Sequence, residues 1–211
     1  MLPVTEAIQR LESEGLLESR PQVGTRVRIP TEEDVRDRFV IREALECQSA
    51  RLFAERATPS QRHELKRMAD RVDVLLRRRF QGDHDPDFLF AVNSYHTEFH
   101  MRIAAGSGCE GLCQLIEKNN VLVLNWIYDL VDEQPPTSVR FHRDLAEVLS
   151  ARCPDAAESA MRSHVRWGIE ETVRAIKNIE SAEGRWRLRG LGQDAPQQSR
   201  TRDRAPSTRR R

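Results

Sequence analysis

From Thr31 to Ile179 the apolar residues return every three or four positions, six times over, and helix-starting or helix-stopping residues stand between the repeats. Thr31-Glu32-Glu33-Asp34 supplies an N-cap and an acidic first turn for a helix reaching about Glu55 through Val35, Phe39, Leu45 and Leu52. Thr58-Pro59 opens a second helix that reaches about Arg79. After the polar loop Gly82-Asp83-His84-Asp85-Pro86, a third ends near Gly106-Ser107-Gly108. Cys109 to Asp132 reads as one long apolar helix, broken by Pro135-Pro136, and Thr137 to Ser150 and Pro154 to Ile179 complete the set. No alternating run of strand type interrupts the series, so the expected fold is an all-α bundle of six helices.

Bulk properties fit such a bundle. The 211 residues are 38% hydrophobic and 32% charged, as in a soluble globular chain. No apolar run approaches the ~20 residues of a membrane span, and the N-terminus lacks a signal-peptide layout, so a cytoplasmic location is expected. Of four Cys, only Cys109 and Cys113 are a helical turn apart, and without a second pair they read, like Cys47 and Cys153, as free thiols.

The chemistry-bearing stretch lies in the third helix, Asn93-Ser94-Tyr95-His96-Thr97-Glu98-Phe99-His100. A four-residue step leaves His96 and His100 about 40° apart on one helix face, close enough for both imidazoles to hold one metal ion. His142 and His164 each sit mid-helix beside core-type residues, so four rings could converge in the bundle interior. The plainer alternative is that each is a surface or hydrogen-bonded core histidine.

Before the bundle, Pro3 to Glu14 reads as an amphipathic helix with Val4, Ala7, Ile8 and Leu11 on one stripe, ended by Gly15. Leu16 to Arg20 and Thr25 to Ile29 read as two short strands around a Gly-containing turn. A helix followed at once by a basic hairpin is the ending of a winged helix-turn-helix, with Arg20, Arg26 and Arg28 available to phosphates.

The run from Val4 to Val27, with its Glu14-Gly15-Leu16 turn and Arg20-Pro21-Gln22-Val23-Gly24-Thr25-Arg26-Val27 wing, resembles the recognition helix and wing of GntR-type transcription regulators. That resemblance implies DNA-facing roles for Thr5, Gln9, Arg10, Arg20, Gly24 and Arg26. The family carries a strand and two helices upstream of this point and basic residues where Met1 and Thr5 stand, so residues 1–30 are expected to be a truncated DNA-binding module with an exposed apolar face. From Thr31 to about Lys177 the body resembles the FCD effector-binding domain of one GntR subfamily. The matching pieces are Ile41-Arg42-Glu43-Ala44-Leu45-Glu46, His96-Thr97-Glu98-Phe99-His100, Phe141-His142-Arg143-Asp144-Leu145 and Ala160-Met161-Arg162-Ser163-His164.

In metal-binding FCD domains an Asp four residues before the first His, that His and two later His bind a divalent ion, commonly zinc. The resemblance therefore implies His100, His142 and His164 as ligands, with His96 at the Asp position. Four neutral imidazoles leave a dication at +2 rather than +1, which favours an anionic effector, and an all-nitrogen shell suits zinc, nickel or copper. Alternatively His96 points away. The family's effectors are small carboxylic or sugar acids. Arg42 is the candidate carboxylate clamp, or else a structural partner of Glu46 one turn on. Asn93 and Asn120, with Asn119 and Asn125 behind them, are further effector candidates.

The expected function is a homodimeric, operator-binding regulator whose helical domain senses a metal-bound acid. A metal-dependent hydrolase or oxygenase is the competing reading, weakened because no acid lies at a general-base spacing and Glu98 falls on the face opposite the histidines. Residues 180–211, in which Ser181 to Arg211 carry nine Arg against Glu183, Asp194 and Asp203 with no apolar periodicity, are expected to be a disordered basic tail that either adds nonspecific nucleic-acid affinity or is merely solvated.

Overall fold

A computed structural model describes residues 2–13, 15–28, 31–82, 85–119 and 138–180. Helix α1 (Leu2–Ser13) leads into strands β1 (Leu17–Arg20) and β2 (Gly24–Val27), which pair antiparallel with Leu17 opposite Val27 and Arg20 opposite Gly24. Among the described residues six helices follow: α2 (Glu32–Arg56), α3 (Pro59–Phe80), α4 (Pro86–Gly106), α5 (Glu110–Lys118), α6 (Phe141–Ser150) and α7 (Pro154–Glu180). The fold is an all-α bundle preceded by a helix and a two-stranded wing. Among the described residues no helix is long and apolar enough to cross a membrane.

Local chemistry sets the helix starts. The Thr31 hydroxyl accepts from the Asp34 backbone N–H, and the Asp34 carboxylate accepts from the Thr31 backbone, a reciprocal cap. Thr58 and Gln61 repeat the device at α3 with Pro59 in the first turn, and Asp85 caps α4 ahead of Pro86.

Two boundaries differ from the sequence expectation. Helix α6 starts at Phe141 rather than Thr137. The Ser138 hydroxyl accepts from the Arg140 N–H and donates to Asp144, holding this entry in a turn. Helix α5 ends at Lys118, where the long fourth helix was expected to continue to Asp132. Its remainder falls in 120–137, which with the basic tail lies outside the described residues.

The core forms where α2 packs along α7 and α4 while α3 packs on α6 and α4. Phe39, Phe53, Phe99, Ile103, Leu149 and Met161 fill it with almost no exposure. Gly106, at the end of α4, lets that helix rest on Phe53: a Cβ at Gly106 would lie 2.4 Å from the fully buried ring. Buried Arg62 donates to the carbonyls of Phe53, Ala54, Ala57 and Leu149. It thereby supplies donors to carbonyls at the C-terminal ends of α2 and α6. Glu43 on α2 accepts from Arg162 and Arg166 of α7, closing the seam from outside.

The Gly106→Ala variant is expected to lose about 1–3 kcal/mol of stability through overpacking against Phe53, read as a lower denaturant midpoint with unchanged slope. A second expectation concerns pH. The hydrogen bond from Arg166, then that from Arg162, hold the Glu43 carboxyl below its ordinary value of 4.5. A depressed carboxyl contributes stability above its unfolded pKa and loses it as pH falls through the folded one. The stability gap between the native chain and Glu43→Gln should therefore be full at neutral pH and shrink below about pH 4.5, as followed by urea unfolding across pH.

Candidate metal centre

Four imidazoles from three helices meet inside the bundle. His96 and His100 come from α4, His142 from the first turn of α6 and His164 from the middle of α7. His96 Nε2 lies 3.1 Å from His100 Nε2 and 3.0 Å from His142 Nε2, and His164 Nε2 lies 3.3 Å from His100 Nε2. His100, His142 and His164 are buried, and His96 is half-buried.

Two buried carboxylates set the orientation of the rings. Glu46 Oε2 lies 2.5 Å from His100 Nδ1, and Asp73 Oδ1 lies 2.9 Å from His142 Nδ1. Asp73 also accepts from the backbone N–H groups of His142 and Arg143, which fixes the start of α6. A carboxylate can only accept, so each of these Nδ1 atoms carries the proton and each Nε2 turns its lone pair to the centre. Glu46 stays ionised: Arg42 and His100 beside it outweigh its burial and bring its carboxyl down to about 2.

Burial, then the neighbouring imidazoles, holds His96 and His164 well below the ordinary histidine range. Burial also lowers His142, against the opposing pull of Asp73. His96, His142 and His164 are thus disposed to be neutral nitrogen donors rather than imidazolium ions.

This arrangement fits a divalent cation. Neutral Nε2 atoms cannot all satisfy one another, and His164 Nδ1 is buried without a hydrogen-bond partner. Metal–nitrogen bonds of ~2.0–2.1 Å separate neighbouring donors by roughly 2.9 Å in an octahedral shell and 3.4 Å in a tetrahedral one. The three observed separations of 3.0 to 3.3 Å lie in that interval. A carboxylate behind a ligating imidazole is also the usual partner of a bound metal.

Beside the rings is a pocket of about 50 Å³ walled by Leu76, Phe80 and Trp167, with Arg42, Arg79 and Asn93 also on its lining. Arg42 is paired with Glu46 by Nε, so the structural alternative holds, yet the same side chain lines the pocket. Asn93 reaches it too. Asn119 does not line it; its side chain donates to the Arg38 carbonyl at 3.5 Å. Asn120 and Asn125 lie outside the described residues.

Comparison with known proteins places the chain. The FCD domain profile matches residues 37–166. The HTH-type transcriptional repressor RspR of Escherichia coli K12 is 30% identical over 181 residues, covering 85% of this chain and 75% of that protein. The chain belongs to the GntR family of transcription regulators, in its FCD branch. The fold is shared with E. coli McbR/YncC, at TM-score 0.63 and 22% identity over 82% of this chain and 84% of that one. A GntR family member from Pseudomonas syringae pv. tomato aligns at TM-score 0.55 and 19% identity over 83% of this chain and 70% of that one.

An FCD regulator of this kind is not an enzyme, and the hydrolase or oxygenase alternative falls with that membership. Glu98, the nearest acid in sequence, is exposed and paired with Arg102.

In the DNA-binding half, Thr5, Gln9 and Arg10 on α1 and Arg20, Gly24 and Arg26 on the wing are all exposed. Gln22 and Gly24 take left-handed φ of 64° and 113° to turn the hairpin. Arg26 pairs with Glu18 across the sheet, and Arg20, on the same strand as Glu18, lies 3.8 Å from that carboxylate. Arg28 departs from the phosphate-facing expectation: its guanidinium bonds both oxygens of Asp34, at 2.7 and 2.8 Å. The apolar face of α1 is open, as expected, with Val4 66% exposed.

Glu46, Asp73, Arg79 and Trp167 belong to the site and were not singled out from sequence. Glu46 stood in the matched Ile41–Glu46 run, but only as a partner for Arg42. Substituting Asp73→Ala removes the acceptor of two backbone N–H groups and one imidazole. The expected cost is about 1–3 kcal/mol, measured by chemical denaturation of the chelator-treated protein.

Proposed function

We propose that this FCD regulator holds one divalent cation, best matched by zinc with nickel as a substitute, and senses a small organic acid beside it. In this reading a homodimer binds two-fold operator DNA, and the acid modulates that binding. One observation carries the reading: Nε2 atoms of His96, His100, His142 and His164 converge, with Glu46 and Asp73 behind two of them. Neutral, all-nitrogen donors suit zinc, nickel or copper over the oxygen-preferring ions. When bound, the cation supplies a Lewis-acidic position for a carboxylate.

The chain's own residues do the selecting. Leu76, Phe80 and Trp167 exclude water from one side of the pocket, while Arg42 and Arg79 make it favourable to an anion. A volume of about 50 Å³ suits a compact acid rather than a long-chain one. Asn93 supplies an amide able to recognise a hydroxyl or a carboxylate oxygen.

Equilibrium dialysis of chelator-treated protein against zinc should give one ion per chain and a rise in melting temperature, and His142→Ala should lose most of both. No zinc uptake by the native chain would reject the metal reading. With zinc bound, a panel of small acids should include one that changes affinity for an operator selected from a random duplex pool. Arg42→Lys should weaken that acid roughly tenfold, about 1.4 kcal/mol, while zinc is retained. Acids that bind without changing operator affinity would reject the coupling.

A further inference from the structure

Four charged side chains stand at successive four-residue steps along α2: Asp34, Arg38, Arg42 and Glu46. Such a row forms one ridge of a helix, here spanning about 18 Å at 1.5 Å per residue. Its two ends meet different halves of the molecule. At the inner end Glu46 bonds His100 Nδ1 and pairs with Arg42, which lines the pocket. At the outer end Asp34 takes a two-pronged ion pair from Arg28, whose backbone N–H bonds the Leu16 carbonyl and so belongs to the wing. Between them Arg38 approaches the Gly15 turn, where a Cβ would lie 3.2 Å from its Nη2.

We propose that this ridge transmits the state of the histidine centre to the wing, and that the Arg28–Asp34 pair is the contact that hands it over. The inference rests on the metal reading above and adds a route and a contact.

Three observations favour α2 as the rod. It runs 25 residues with neither Gly nor Pro, so a displacement at Glu46 is delivered at Asp34 rather than absorbed in a kink. Its first turn is also tied to the far end of α7, the helix of His164, by Lys177 to Glu32 at 3.3 Å. Two of the ring-bearing or ring-holding helices therefore end at the root of the wing. Finally, Arg28 Nη2 reaches both oxygens of the Asp34 carboxylate in a part-buried pair, a charge-assisted contact that ties the wing to the first turn of α2. When a cation draws on the His100 Nε2 lone pair, the Nδ1 proton binds Glu46 more strongly. Glu46 then holds Arg42 less strongly, which resets the inner end of the ridge.

The test uses the whole chain with zinc alone as the probe. Zinc stoichiometry is read first, then amide hydrogen exchange across residues 16–28. In the native chain zinc should slow exchange in the wing several-fold. Arg28→Gln and Arg38→Met should each take up zinc normally, with α4 protected as in the native chain, yet lose the wing response. Arg28→Lys, which keeps a charged nitrogen able to reach the Asp34 carboxylate, should restore part of it. Zinc uptake with no change in wing exchange, or an undiminished response in both variants, would overturn the proposal while leaving the metal reading intact. No zinc uptake would overturn both.

Discussion

Two buried carboxylates govern the interior. Glu46 and Asp73 each accept a hydrogen bond from the Nδ1–H of an imidazole, and in doing so turn His100 and His142 so that their other nitrogens face a common centre. The cost of burying a carboxylate is offset at Glu46 by Arg42 and at Asp73 by two backbone N–H groups. The same contacts therefore set ring tautomer, start α6 and stitch α2 to α4. Stability and site geometry are not separable here.

The bundle around these contacts is built to hold three helices at fixed depth. Gly106 against Phe53 sets how closely α4 approaches α2, and Arg62 binds the carbonyl ends of α2 and α6 to the start of α3. A close-packed core tolerates little adjustment, so His100 and His164 arrive at opposing positions because their helices have no slack. The wing, by contrast, meets the body through Arg28 and Asp34 and the approach of Arg38 to Gly15. A close-packed body is thus joined to the wing by a few polar contacts, and the proposed transmission along α2 would have to pass through them.

His96 distinguishes this chain within its family resemblance. A carboxylate in that position would neutralise part of a bound cation's charge from within its coordination shell. Here the negative charge stands one layer further out, on Glu46 and Asp73, and the donors facing the centre are all nitrogens. On the proposed metal reading, moving the charge outward would leave the centre more attractive to an incoming anion and less suited to ions that prefer oxygen.

Features set by local chemistry were legible along the chain. Thr31, Thr58 and Asp85 mark helix starts because caps bond within three or four residues, and the His96–His100 pair shares a face because four residues make about a turn. Membership of the FCD branch was likewise legible in short contiguous runs such as Phe141–Leu145. The bond partners of the rings were not, since Glu46 is 54 residues from His100 and Asp73 is 69 from His142. Nor could the pattern tell that Arg28 turns to Asp34, or that α6 begins only at Phe141. These follow from packing, because a side chain's partner is set by which helices lie together, and no local periodicity encodes that choice.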